Sequence, residues 1–346
     1  MLLNAADKAL WRLALPMIFS NITVPLLGLV DTAVIGHLDS PVYLGGVAVG
    51  ATATSFLFML LLFLRMSTTG LTAQAWGAKD PQRLARALVQ PLALALGAGV
   101  LIILLRLPLI DLALHIVGGS EAVLEQARRF LEIRWLSAPA SLANLVLLGW
   151  LLGVQYARAP VILLVVGNLL NIVLDLWLVM GLRMNVQGAA LATVTAEYAT
   201  LIIGLLMAKR VLTLRGVSLA MLKNAWRGDL RRLLALNRDI MLRSLLLQLC
   251  FGALTVFGAR LGSDIVAVNA VLMTMLTFTA YALDGFAYAV EAHSGQAYGA
   301  RDGSQLLEVW RAACRQSGMV ALAFALIYSL AGQYIIALLT SLPSLQ

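Results

Sequence analysis

Apolar residues fill this chain in long runs, each ended by charges or by clusters of Gly and Pro. A helix needs about 20 predominantly apolar residues to cross the hydrocarbon core of a bilayer. Nine runs meet that length, at 12–36, 43–76, 88–116, 130–156, 160–181, 187–211, 240–261, 265–298 and 317–341. The pattern predicts an all-α, polytopic membrane protein. Several runs are longer than a membrane requires, so tilted, bent or protruding helices are expected.

Composition excludes the main alternative. Of the 346 residues, 61% are hydrophobic and 12% charged, whereas a soluble domain is roughly 45–50% apolar and about 25% charged. Mean hydropathy is +0.90. A soluble globule of this size would need a charged skin that the chain lacks, whereas lipid solvates an apolar outer surface.

Charge sets the orientation. The net charge of +8 does not indicate nucleic acid, because the basic residues lie between apolar runs rather than on one face. With the N-terminus inside, 18 of the 25 Lys and Arg fall on inner segments. Six fall on outer segments (Arg106, Arg128, Arg129, Arg134, Arg183 and Arg260), and Arg65 lies within a run. Positive charge collects on the cytoplasmic side, so the N-terminus is expected in the cytoplasm. The first run continues too far to be the core of a signal peptide and reads as a retained anchor.

A repeat organises the chain. The segment Gln74-Ala-Trp-Gly-Ala-Lys-Asp80 recurs as Gln296-Ala-Tyr-Gly-Ala-Arg-Asp302, at an offset of 222 residues. Both copies close a long run at its inner end, and both runs follow an outer loop with Gly and Ser. Six runs separate the copies, which predicts two parallel six-helix repeats. Residues 1–213 form the expected N-lobe, 214–239 a basic cytoplasmic linker and 240–346 a partial C-lobe. The second repeat holds three runs of an expected six, so the chain reads as part of a longer protein of about twelve helices.

Ionisable groups inside a membrane are costly and default to function. Among the acids that lie in the runs are Asp31, Asp175, Glu197, Asp284 and Glu291. Asp31, Asp175 and Thr193 each sit six residues from an outer boundary, roughly 9 Å deep at about 1.5 Å per residue. Asn171 is one turn below Asp175 on the same face. Two carboxylates, an amide and a hydroxyl at one depth can hold a proton, or ligate a desolvated sodium ion. Pro16 and Pro25 in the first run remove backbone hydrogen bonds and allow that helix to bend. Shifted by the repeat offset, Arg65 falls at position 287, between Asp284 and Glu291. An ion pair across the two lobes is expected there.

Other chemistries find little support. Cys250 and Cys314 have no CxxC spacing. No P-loop, GxGxxG, HExxH or GxSxG motif occurs, so no cofactor and no dedicated metal centre are expected beyond sodium at the coupling site. A lipid-linked sugar flippase would show a basic cleft for its diphosphate. A membrane-embedded prenyltransferase would need clustered Asp to hold Mg²⁺. The flippase is a second transport reading and the prenyltransferase a reading from a different class; both remain alternatives.

Certain segments also resemble a family. Leu15-Pro16, Val30-Asp31-Thr32-Ala33-Val34-Ile35-Gly36, the stretch from Gly167 through Asn171 to Asp175, and Gly188-Ala-Ala-Leu-Ala-Thr193 are similar to the multidrug and toxic compound extrusion (MATE) transporters, in particular the DinF-type branch of enteric bacteria. The resemblance implies a two-lobe antiporter of twelve helices, monomeric, exporting small organic compounds, often cationic, against a proton or sodium gradient. It implies that Asp31, Asn171, Asp175 and Thr193 form the N-lobe cation site, that the proton is the preferred ion, and that Pro16 bends the first helix.

Overall fold

The computed structural model describes residues 5–36, 38, 41–156, 158–218, 221–222, 225 and 230–339. The side chains of 20–32, 59–60, 230, 338–339 and scattered positions between 252 and 281 lie outside the described set. The described residues form nine helical rods and no strand.

The first rod is α1 (Ala5–Gly36). The second is α2 (Pro41–Leu60) and α3 (Phe63–Gly77), interrupted by a turn at 61–62. The third joins α4 (Pro81–Leu104) to α5 (Arg106–Val117). In the fourth, α6 (Glu121–Arg134) runs through one 3₁₀ turn into α7 (Ala138–Gly153). The fifth, α8 (Arg158–Asp175), winds into a π-helical stretch at Leu176–Gly181. The remaining rods are α9 (Asn185–Leu214), α10 (Leu230–Leu261), α11 (Ser263–Gly299) and α12 (Gly303–Leu339). Among the described residues, seven helical spans combine sufficient length and apolarity to cross a membrane.

The rod positions follow the apolar runs, with longer ends. The seventh run was expected from residue 240, but α10 begins at Leu230. The basic linker is therefore partly helical: Arg231, Arg232 and Arg238 ride on the first turns of α10. Arg134, assigned to an outer segment, instead lies at the end of α6, where the helix passes without a loop into the 3₁₀ turn.

Helix α7 occupies the centre of the first half, packed between α3, α4 and α9. It is apolar over most of its surface, as a largely enclosed helix must be, with Ser141 and Asn144 as its polar residues. Leu142, Val146, Leu147, Trp150 and Leu151 are fully buried. The polar edge of Trp150 is satisfied by donating from Nε1 to the Leu84 carbonyl at 3.1 Å. Small residues bring the helices close, as in other membrane bundles.

The repeat is visible as geometry. Near the end of each copy the chain turns through one left-handed residue, Lys79 (φ 53°) and Arg301 (φ 56°). The same backbone bonds close both turns: Asp80 N–H to the Ala75 carbonyl at 3.2 Å, and Asp302 N–H to the Ala297 carbonyl at 3.1 Å. Each aspartate then caps the next helix, Asp80 by accepting from Gln82 and Arg83 N–H and Asp302 from Gln305 N–H. The two copies also touch. A Cβ on Gly77 would lie 1.9 Å from the Gln296 carbonyl oxygen, and one on Gly299 would lie 2.0 Å from that of Gln74. Helices α3 and α11 thus cross backbone to backbone at their C-terminal ends, related by a local pseudo-two-fold.

Candidate functional site

Helices α8 and α9 pack side by side, drawn together where Gly167 meets the Thr200 hydroxyl. This brings the expected polar cluster into register. Asn171 Nδ2 donates to Thr193 Oγ1 at 3.3 Å, and Thr193 Oγ1 donates to the Ala189 carbonyl at 3.2 Å. One turn further along α8, Asp175 is 1% exposed. Neither of its carboxylate oxygens accepts a hydrogen bond from the described residues. The π-helical stretch begins at the next residue, and such departures from α geometry recur at functional sites.

Asp31 and Pro25 lie on α1, but their side chains are outside the described residues. Pro16 is half-buried, and the α1 helix runs unbroken through it. The helix is braced on both sides of this proline by the second half of the chain. Gly285 of α11 sits against Ala14 and Ile18, and Trp11 packs edge-on to Phe286 with ring centres 4.7 Å apart.

Asn171 and Thr193 wall a cavity of about 580 Å³, within the ~300–1,000 Å³ typical of small-molecule sites. Phe58, Leu145, Leu148, Leu163 and Leu164 supply apolar wall, and Arg134, Asn144 and Glu197 supply polar wall. Glu197 lies one turn from Thr193 on α9 and shares the cavity. Asn144 of α7 holds it, donating from Nδ2 to Glu197 Oε2 at 3.0 Å and to the Glu197 carbonyl at 3.1 Å. The Arg134 guanidinium lies over the Phe58 ring, 5.3 Å from its centre, and donates to Ser137 Oγ. Asn144 and Arg134 were not singled out from the sequence. Their one signal there is a polar residue inside an apolar run, which does not say what it faces.

The charged residue in the second rod has partners. Arg65, 3% exposed, donates from Nη1 to Glu291 Oε2 at 3.2 Å. Its guanidinium also stacks 4.1 Å from the Tyr288 ring centre. Asp284 is exposed and lies outside ion-pair distance of Arg65 among the described contacts. His293, next along α11, sits 3.2 Å by Nε2 from the Ala9 carbonyl.

A profile of the MatE family matches residues 16–177 and 240–345, one segment on each side of the basic linker. The chain belongs to the MATE family. It is 87% identical over 344 residues to the DNA damage-inducible protein F of Escherichia coli K12, covering 99% of this chain and 75% of that protein. It is 29% identical over 196 residues to a probable multidrug resistance protein NorM of Thermotoga maritima, covering 55% of this chain and 42% of that protein. A MATE protein solved in a bent conformation superposes with a TM-score of 0.85 at 26% identity, over 97% of this chain and 75% of that one. One solved in a straight conformation also superposes with a TM-score of 0.85 at 26% identity, over 98% and 76%. This MATE chain is therefore a multi-pass membrane transporter of small molecules and not an enzyme.

Proposed function

We propose that this chain exports organic compounds, often cationic, across the bacterial inner membrane, driven by a cation gradient and with the proton as the preferred ion. The observation that carries the coupling is Asp175, a carboxylate buried at 1% exposure with no hydrogen-bond donor among the described residues. A bare buried carboxylate is too costly to keep. One proton, or a bound cation, removes that cost. Asp31 is the second carboxylate of the site, and Asn171 and Thr193 are its neutral ligands. The cavity they wall is the substrate chamber. Its apolar side suits the rings of a bulky substrate, and Glu197 suits a positive charge.

Coupling requires that the cation favour one shape of the protein over the other. Cation entry from outside neutralises the site, α1 bends near Pro16 or Pro25, the cavity shrinks, and substrate leaves outward. A complete switch between populations of 1:99 and 99:1 needs a differential affinity of about 5.5 kcal/mol. The N-terminus and the 214–239 linker are cytoplasmic, residues 1–213 form one lobe and 240–346 part of a second, and the monomer is the working unit. A cysteine placed at Ser40 is then labelled from outside, and one at Asn224 is not.

The test is efflux from proteoliposomes under an imposed pH or sodium gradient. The wild-type chain should respond to the pH gradient. Asp31→Asn and Asp175→Asn, both nearly isosteric, should fold and lose the response. If each kept wild-type efflux with unchanged pH and sodium dependence, the cluster would be structural and the mechanism wrong.

A further inference from the structure

A second cavity lies near the first repeat copy, framed by three helices. Leu71 of α3 forms one wall. Arg83, Arg86 and Gln90 line it from α4, at i, i+3 and i+7 and so on one face. Arg232 and Leu233 close it from the start of α10. Its volume is about 100 Å³, too small for a drug-sized molecule, whose sites run to roughly 300 Å³ and more.

Three guanidiniums and one amide converge on this space, and no carboxylate is among the described residues that line it. The cavity is partly dry, since Gln90 is 7% exposed and Leu233 2%. Arg86 Nε is buried and has no hydrogen-bond partner among the described residues. The acid at the head of α4, Asp80, already accepts from the backbone of Gln82 and Arg83. Arg232 is fixed at the rim by donating from Nη2 to Gln74 Oε1 at 2.9 Å. Converging guanidinium forks fit the tetrahedral oxygens of a phosphate.

We propose that this cavity binds a phosphate group, and that the group is the headgroup of an anionic phospholipid in the leaflet facing the inner loops. The apolar part of the lining favours the lipid over a free ion. Leu71, Pro91 and Leu233 would contact glycerol and the first methylenes, while the arginines hold the phosphate. The position also fits: Arg83 and Arg86 sit on the first turns of a rod that continues as an apolar span. Basic pockets between helices at this depth are where anionic headgroups collect.

Native mass spectrometry of the chain, carrying phosphatidylglycerol or phosphatidylcholine as the only added lipid, reads the site. Wild type should retain phosphatidylglycerol preferentially. Each removed charge should cost about fivefold in affinity, so Arg83→Gln with Arg86→Gln should lose roughly 25-fold. Arg86→Lys, which keeps the charge but not the fork, should fall between. Arg311→Gln, an exposed position on α12, should change nothing. If wild type shows neither lipid preference nor phosphate binding, or Arg311→Gln loses as much as the double variant, the site is overturned. A parallel titration with inorganic phosphate separates the sources. Arg86-dependent phosphate binding without lipid preference would keep the phosphate site and overturn its lipid occupant.

Discussion

The α2–α3 rod and α11 are the same element twice, offset by 222 residues. They agree at the C-terminal end and disagree in the middle. At the C-terminal end, Gly77 and Gly299 make the same contact, each against the other copy's glutamine carbonyl. In the middle, Arg65 corresponds to Ala287 and Thr69 to Glu291. Across the crossing, one turn from its own equivalent, Arg65 meets Glu291. The positions that the offset relates to this pair, Ala287 and Thr69, carry no charge. The turn is kept because its geometry is tied to backbone, and only Gly lets two backbones approach so closely. The charges are free to differ because the pair lies off the axis, where the two symmetry-related positions need not carry the same residues. The shared crossing joins the halves, and the unshared pair makes them unlike.

The largest test of that view is at the crossing. Gly77→Ala and Gly299→Ala each put a Cβ within 2.0 Å of a carbonyl oxygen. Backbone cannot rotate away, so the helices must part. Each variant should lose at least about 3 kcal/mol, read by thermal melting in detergent. By symmetry the two losses should be similar. A large loss at one glycine and none at the other would break the claim that the crossing is two-fold.

The ion pair comes second. Glu291→Ala leaves the Arg65 charge buried without its partner, at a cost of about 3–5 kcal/mol. Arg65→Ala should cost less, since Glu291 is 28% exposed and can be hydrated. The double variant should cost less than the two singles added, by about 2 kcal/mol. Asp284→Ala combined with Arg65→Ala should couple more weakly than the Glu291 pair, because Asp284 feels the Arg65 charge without forming an ion pair. Coupling at Asp284 and none at Glu291 would reverse the pairing seen here.

These same elements show what the sequence discloses. Helix positions were legible because lipid demands long apolar runs, and the α8 cluster because Asn171 and Asp175 lie one turn apart on one helix. The Arg65–Glu291 contact could be approached through the repeat offset alone. The break at 61–62 was not legible, since an apolar run from Phe56 to Phe63 carries no Gly or Pro to announce it. Nor was the Asn144–Glu197 bond, which joins residues 53 apart and exists only once α7 and α9 pack. Arg134 was misplaced because a charge normally ends an apolar run, whereas here it faces a cavity.

The smallest expected effect sharpens the comparison at its edge. Trp76 and Tyr298 are equivalent by offset, but their surroundings differ. The Arg215 guanidinium, just past the end of α9, lies 4.0 Å from the Trp76 ring centre. Tyr298 is 62% exposed and no such cation is described over it. A cation over an indole contributes about 0.5–1 kcal/mol at a partly exposed site, more than over a phenol. Trp76→Tyr should therefore cost a few tenths to about 1 kcal/mol, and Arg215→Gln a similar amount. The two together should cost little more than either alone, since both remove one interaction. Tyr298→Trp should leave the melting temperature unchanged, because the larger ring gains no partner. The copies would then differ in use as well as in sequence: the first anchors the end of α9 and the second does not. If Trp76→Tyr and Tyr298→Trp shifted stability equally, the aromatic position would belong to the shared crossing, and the asymmetry would be confined to Arg65 and Glu291.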